Sequence, residues 1–320
     1  MVSLYTQALR NIKALFRCQL KNILLKIYKM KQNYKRLKKN EKNPFFKKKY
    51  ITNESKVENF KNMINLKSNQ IILSGKHTVL SALNNKRRKI FYLMSTQDHS
   101  KIWEKNIEDL KLQIEIKIKT KEQLDKINNF KPHQNVILVV EPLKRKTLDE
   151  FLSEKQNSLK LPLRIIILDQ VTDPQNVGAI IRSAYAFKMS AMALSQRNSP
   201  LESSSMSKAS SGAIENLQII ELSNMSRAIK KLQDAGFLVY GLAHGGNGSI
   251  LNLDKEVGNI AIIVGSEGKG LRRLTMEKVD QLIEIPINPD SESLNVSNAA
   301  SISMFQLQKN IIKNEISSCL

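Results

Sequence analysis

Cysteine is nearly absent from this chain. Of 320 residues only Cys18 and Cys319 are cysteines, near opposite ends. That excludes a disulfide framework, a cysteine zinc site and a Cys-x-x-Cys redox pair, and it fits a reducing compartment. No apolar run approaches the roughly 18 residues that a membrane span needs. Without a secretory signal, the Asn-x-Ser matches at Asn53, Asn224, Asn247 and Asn295 read as chance. His77, His133 and His244 have no nucleophile or acid partner in sequence; each reads as structural or RNA-facing rather than catalytic. A Walker A loop needs Lys-Ser/Thr after its last glycine, and here Leu271 follows Gly270. No Gly-x-Gly-x-x-Gly follows a strand, which removes the dinucleotide fingerprint of a dehydrogenase. The first 29 residues contain no acid at all.

What is present is positive charge, unevenly spread. The formal net charge is +22, and residues 1–70 hold 18 of the 51 Lys/Arg but 3 of the 29 Asp/Glu. Clustered basic charge of this kind neutralises phosphates, as in a nucleic-acid arm, and is equally compatible with a solvated tail. Within it Leu4, Ala8, Ile12, Leu15, Ile23 and Ile27 fall near helical spacing among Arg10, Lys13, Arg17, Lys21 and Lys26. Three readings stay open: an organellar transit peptide, an arm for an anionic surface such as rRNA or a membrane, or sequence upstream of a true start at Met30. The first places the protein in a mitochondrion or other organelle; otherwise the cytoplasm is expected. Residues 1–69 as a whole read as a basic extension with little fixed structure.

Order is expected from Ile71. A strand running into a helix at Ile71–Leu83, a strand at Lys89–Met94, a helix over 98–112 and a buried strand at Val136–Val140 form a small alternating α/β module, residues 70–142. Residues 143–161 read as a polar linker with one short helix around Thr147–Ser153. From 162 to 313 the alternation resumes. Strands are expected at 164–168, 192–194, 217–220, 237–240, 260–264 and 282–285, with helices over 176–187, 206–214, 224–235 and 298–310. The continuous apolar runs Arg164-Ile-Ile-Ile-Leu168 and Ile260-Ala-Ile-Ile-Val264 predict a largely parallel sheet.

Three polar loops carry the chemistry. They are Asp173-Pro-Gln-Asn-Val-Gly-Ala-Ile-Ile-Arg182, Val264-Gly-Ser-Glu-Gly-Lys-Gly-Leu271 and Ile285-Pro-Ile-Asn-Pro-Asp-Ser-Glu-Ser-Leu-Asn-Val-Ser297. Each follows an apolar strand, and ligands of open α/β sheets sit beyond the carboxyl ends of the strands. Together they offer a glycine-rich backbone cradle, one arginine near a helix start, which with Asn176 brackets a cleft if Asn176 is the cap, and a Ser-Leu-Asn turn. They offer no histidine base, metal ligand set or thiol. That combination points to group transfer from a bound cofactor, with the protein supplying position and electrostatics. Lys269, Arg272 and Arg273 are either nucleic-acid contacts or a solvated helix start.

In order and spacing, these loops resemble the three motifs of the SpoU (TrmH-type) RNA 2′-O-ribose methyltransferases. Upstream, Ser74-Gly-Lys-His-Thr-Val-Leu-Ser-Ala-Leu83 and His133-Gln-Asn-Val-Ile-Leu-Val-Val-Glu-Pro142 resemble the small substrate-binding domain of the RlmB-type branch. The resemblance covers residues 71 to about 312. It implies a SPOUT fold: an α/β domain with a deep C-terminal trefoil knot, preceded by a small ribosomal-protein-like α/β domain that helps choose the RNA. It implies a homodimer and S-adenosylmethionine as methyl donor, cradled by the backbone of Gly265, Ile285 and Leu294. It implies an active site of Asn176, Arg182, Glu267, Ser293 and Asn295 across the dimer interface. The branch methylates a guanosine of large-subunit rRNA. A tRNA ribose methyltransferase and a catalytically silent RNA-binding assembly factor are the alternatives, and the intact polar set argues against the second. This sequence departs from the family at Asn135, where His-Gln-Gly is usual, and at Asn288 or Pro289, where a glycine is common. Both departures concern loop shape and RNA contact.

Overall fold

The computed structural model describes residues 66–156, 162–196, 199–255 and 258–319. The expectations for the basic extension up to residue 65 fall outside the described residues. The described residues build two sheets.

The smaller sheet has four strands, β1 (Ile71–Ser74), β2 (Ile90–Ser95), β3 (Glu115–Ile118) and β4 (Val136–Val140), in the order β1-β4-β2-β3. Its helices are α1 (Lys76–Asn84), α2 (Gln97–Asp109) and α3 (Lys121–Ile127). Strand β4 is buried along its whole length because both of its faces are covered. Val136, Leu138 and Val140 join Leu73, Val79, Leu93 and Trp103, while Ile137 and Val139 join Met94 and Leu124. This is the two-residue period of a strand with helices on either side.

The larger sheet has eight strands: β5 (Lys146–Thr147), β6 (Arg164–Asp169), β7 (Ala191–Ser195), β8 (Ile219–Leu222), β9 (Phe237–Leu242), β10 (Gly248–Ser249), β11 (Asn259–Gly265) and β12 (Gln281–Glu284). Their order is β10-β12-β9-β11-β6-β7-β8-β5, and every neighbouring pair is parallel. Helices α4 (Leu148–Gln156), α5 (Pro174–Ala186), α6 (Ser204–Ala209), α7 (Met225–Asp234), α8 (Arg273–Met276) and α9 (Val296–Cys319) complete it. Ile166, Leu168, Ile262 and Val264 face a core with Val177, Ile181 and Met304; Ile165, Ile167, Ala261 and Ile263 face another with Phe151, Ile229 and Leu232. From β6 the chain moves outward through β7 and β8, then crosses back to β9 on the other side. The carboxyl ends of β6 and β11 therefore flank the point where a parallel sheet opens a crevice.

Several expectations change. Of the expected linker, the described residues 143–156 pack onto the large sheet: β5 pairs with β8, and α4 buries Phe151 completely. Leu148, Phe151 and Leu152 supply the apolar stripe of the short helix expected around Thr147–Ser153, which runs over Leu148–Gln156. The helix expected over 206–214 ends at Ala209 and is followed by a 3-10 turn, Ala213–Glu215. Strands β3 and β10 and helix α3 are additions to the expected elements.

The two sheets are joined by a buried ionic clamp. Arg88, at the entrance to β2, has a fully buried side chain and sits between Glu202 and Glu215 of the large sheet's α6 region. Its Nη2 donates to Glu202 Oε1 at 2.7 Å and Glu215 Oε1 at 2.5 Å. Its Nη1 donates to Glu202 Oε2 and the Glu141 carbonyl, and its Nε to Glu215 Oε2. All five guanidinium N–H groups are thereby used. Burial works against the charge, but hydrogen bonds and attraction from Glu202 and Glu215 outweigh it and hold Arg88 above its ordinary range. The Asn85 side chain and the Leu143 backbone N–H take up the remaining carboxylate capacity.

Candidate active site

The loop after β11 turns back on itself within five residues. Ser266 and Gly270 form an isolated bridge, with Gly270 N donating to Ser266 O at 2.9 Å. Gly265 is dictated by this turn: a Cβ there would lie 2.1 Å from the Gly270 carbonyl carbon. Gly270 itself sits at φ 63, in the left-handed region that glycine occupies without strain. The exit of the loop is anchored to β6. Asp169, fully buried at the end of that strand, accepts from Thr275 Oγ1 at 2.7 Å and pairs with Arg272 Nη2 at 2.7 Å.

A cleft of about 480 Å³ lies beside this loop. Its walls include the 264–271 backbone, Leu242, His244, Met276, Ile285, Ile287, Ser293 and Leu294. All three expected cradle positions, Gly265, Ile285 and Leu294, border it. Apolar walls with an amide-rich edge suit a flat heterocycle carrying a polar tail, which fits S-adenosylmethionine.

At one side of the cleft three expected residues meet. Glu267 Oε1 accepts from Asn295 Nδ2 at 2.5 Å and from Asn176 Nδ2 at 3.2 Å, and Asn295 Nδ2 also donates to Asn176 Oδ1 at 3.2 Å. Asn295 faces two ways. Its Oδ1 accepts from Ser297 N at 2.9 Å and Ser297 Oγ at 2.5 Å, capping α9, and this aims its NH2 group at Glu267. The capping role and the site role are thus one arrangement. Asn176 is not the cap of α5, so the condition for it to bracket a cleft with Arg182 is not met. Asp173 caps α5 by accepting from Gln175 N, with Pro174 in the first turn, so Asn176 stands inside that turn where its amide reaches across to Glu267.

Arg182 is not brought to this trio. It lies six residues along α5, about 9 Å further and roughly 240° around. It is exposed and has no hydrogen-bond or ion-pair partner among the described residues. Ser293 lines the cleft without a partner of its own among the described residues. Of the three basic candidates, Arg272 is committed to Asp169 and Arg273 to Glu277, which leaves Lys269 on the cleft rim. His244, read as structural or RNA-facing, forms part of the cleft wall; its signal was the glycine-rich turn directly after an apolar strand. His133 is structural, donating from Nε2 to Asp125 at 3.0 Å while Nδ1 accepts from Asn135 N.

Both departures from the family pattern keep loop shape by other means. Asn135 is held at φ 61, a conformation that asparagine tolerates better than most residues. Asn288 accepts from Asp290 N through its side chain and from Ser291 N through its carbonyl, bending the segment without glycine.

Comparison with known proteins agrees with this geometry. Residues 163–305 match the SpoU rRNA Methylase family, and residues 72–146 match the RNA 2′-O ribose methyltransferase substrate binding domain. A protein of Staphylococcus aureus (strain COL), named as a TrmH family tRNA/rRNA methyltransferase, is 36% identical over 203 residues, 63% of this chain and 80% of that one. An uncharacterised tRNA/rRNA methyltransferase of Synechocystis is 32% identical over 245 residues, 74% of this chain and 62% of that one. The fold is that of the SpoU methyltransferase AviRb from Streptomyces viridochromogenes, solved with AdoMet, at a TM-score of 0.65 and 18% identity over 77% of this chain and 91% of that one. An AdoMet-bound rRNA methyltransferase from Sinorhizobium meliloti gives a TM-score of 0.63 at 21% identity, covering 76% and 88%.

Proposed function

This chain belongs to the SpoU/TrmH family of RNA methyltransferases, and from that premise we propose that it methylates a ribose 2′-hydroxyl of large-subunit rRNA, at a guanosine. The observation that carries the reading is the Asn176–Glu267–Asn295 trio set at the edge of a cleft bordered by Gly265, Ile285 and Leu294.

S-adenosylmethionine, held in that cleft, supplies a methyl group already activated by its sulfonium. The remaining task falls to the chain's own residues: to aim one hydroxyl in line with the methyl group, its proton passing to solvent water as the new bond forms. Glu267 fixes the two asparagine amides, and with Ser293 these orient the ribose. The Arg182 guanidinium offers donors and no acceptor, so its part is to grip the phosphate next to the acceptor and favour the developing oxyanion.

Arg182 reaches such a phosphate in a homodimer. Tyr185, on the same face of α5, is 51% exposed, and Phe305 and Ile302 of α9 are 50% and 41% exposed. Helices α5 and α9 are tied side by side by a 2.7 Å bond from Ser301 to Ser183. A second copy covering these side chains would carry Arg182 to its partner's cleft. The trefoil knot of the SPOUT fold belongs to the same reading.

Incubation with methyl-labelled S-adenosylmethionine and either total rRNA or total tRNA tests the reading. Label is expected in rRNA, as a 2′-O-methylguanosine after digestion. Label in tRNA alone would move the substrate to tRNA, and label in neither would support a silent RNA-binding factor.

A further inference from the structure

The loop between α3 and β4, residues 128–135, has no part in the cleft, yet it is held firmly in place. Phe130 is 71% exposed at its tip. Asn129 and Phe130 are held consecutively at φ 54 and 55, a left-handed conformation that a bulky residue adopts only at a cost. The loop is nevertheless pinned at every turn. Phe130 N donates to the Asp125 carbonyl at 2.7 Å, and the buried Asn128 side chain donates to the Lys131 carbonyl at 2.7 Å. The Asp125–His133 pair closes its base, and Gln134 Oε1 accepts from Lys76 N at 2.7 Å. A rigid, strained loop thus presents one aromatic ring to water.

The surroundings of that ring are cationic. Lys126, Lys131 and Lys208 are all exposed. Lys131 Nζ donates to Ser205 Oγ at 3.1 Å and Lys208 Nζ to the Pro132 carbonyl at 2.9 Å, so lysines from both sheets frame the loop. Asp125, the acid within the same stretch, is occupied by His133. No other large exposed hydrophobic side chain lies in this loop. A single exposed ring framed by ammonium groups matches a nucleobase with its flanking phosphates, not an apolar protein surface.

We propose that Phe130 is a stacking platform for an unpaired base of the substrate RNA, with Lys131 and Lys208 on the adjoining backbone. The inference rests on the RNA reading above and deepens it. Because the Arg88 clamp and the two lysine bridges join the small sheet to the large one, a base stacked on Phe130 registers the RNA against the cleft.

The test uses the full chain and a single-stranded oligoribonucleotide carrying 2-aminopurine, whose fluorescence is quenched on stacking, beside the same sequence as a duplex. Phe130→Asn is the informative variant, since asparagine accepts a left-handed backbone and leaves the fold intact. It should lose the quenching and bind the single strand about ten-fold more weakly, the order expected for one lost base stack. Its unfolding midpoint should not fall, and Phe130→Tyr should retain both binding and quenching. Quenching and affinity unchanged in Phe130→Asn would overturn the proposal and turn the ring toward a protein partner. Equal loss in Phe130→Tyr would overturn it too, by making loop shape the cause. Methyl transfer by the wild-type chain separates the two levels. If it proceeds while Phe130→Asn still quenches, the stacking site alone fails. If no RNA is methylated, the functional reading fails, and the stacking site is decided by quenching alone.

Discussion

Two carboxylate clusters on this chain differ in their access to water. In one, Glu267 is exposed and shared by two asparagine amides at the edge of a cleft. In the other, Glu202 and Glu215 enclose a fully buried Arg88 and every guanidinium donor is used. The buried cluster is complete by itself, and loss of Arg88 leaves two buried carboxylates without compensation. The open cluster is complete only among its own amides. Ser293 and Arg182 beside and beyond it have no partner among the described residues, and polar groups left open at a cleft are what a substrate uses. The first cluster is therefore expected to govern stability and the second turnover.

The largest effect should come from breaking the buried cluster. Arg88→Met strands two carboxylates and should cost roughly 3–5 kcal/mol in urea unfolding. Replacing Arg88, Glu202 and Glu215 together by apolar residues should restore most of that loss. A triple variant as unstable as the single one would mean that packing, not charge, makes the seam. Next in size, Arg182→Ala should reduce methyl transfer by about 100-fold or more through lost positioning, while S-adenosylmethionine affinity holds. A fall in cofactor affinity instead would assign Arg182 the wrong role. Glu267→Gln should slow transfer by roughly ten-fold, within the range of a lost positioning contact, and shift stability by no more than about 0.5 kcal/mol. A large stability loss there would erase the contrast between the clusters.

The smallest effect concerns the start of α4. Backbone and side-chain hydrogen bonds from Thr147 hold the Glu150 carboxylate below its ordinary range. A group depressed in the folded state stabilises above its unfolded pKa and loses that contribution as pH falls through its folded value. Stability should therefore drop slightly in the acid range, and Glu150→Gln should remove that part of the pH dependence without affecting methyl transfer at neutral pH.

Legibility in the sequence follows the same division. Strands β6 and β11 announce themselves as continuous apolar runs because both of their faces are covered. The three loops are legible because backbone turns, caps and glycines are local features, while the roles of Gly265, Ile285, Leu294 and Glu267 within them are what the family resemblance implies. Even there the cap of α5 lies at Asp173, three residues before Asn176, since Asp173 and Pro174 make the stronger start signal. Strand β3 sits in the alternation Leu112, Ile114, Ile116 and Ile118, a two-residue period that marks a strand in sequence although its ends are exposed; α3 buries only Leu124 and leaves no apolar stripe to detect. Strands β5 and β10 are two residues each and exist only through their neighbours. The clamp is illegible for a different reason: Arg88 lies 114 and 127 residues from its two glutamates, and nothing local marks a charge that will be buried.

The free Arg182 and the partnered trio lead to one decisive measurement. Arg182→Ala keeps an intact cleft, and Glu267→Gln keeps an intact arginine. If each active site joins the cleft of one copy to Arg182 of the other, a mixed dimer holds one complete site. Unfolding and refolding the two variants together should then return methyl transfer to about a quarter of the wild-type level, from the random pairing of a two-fold dimer. A mixture no more active than the two variants alone would contradict a site shared between copies.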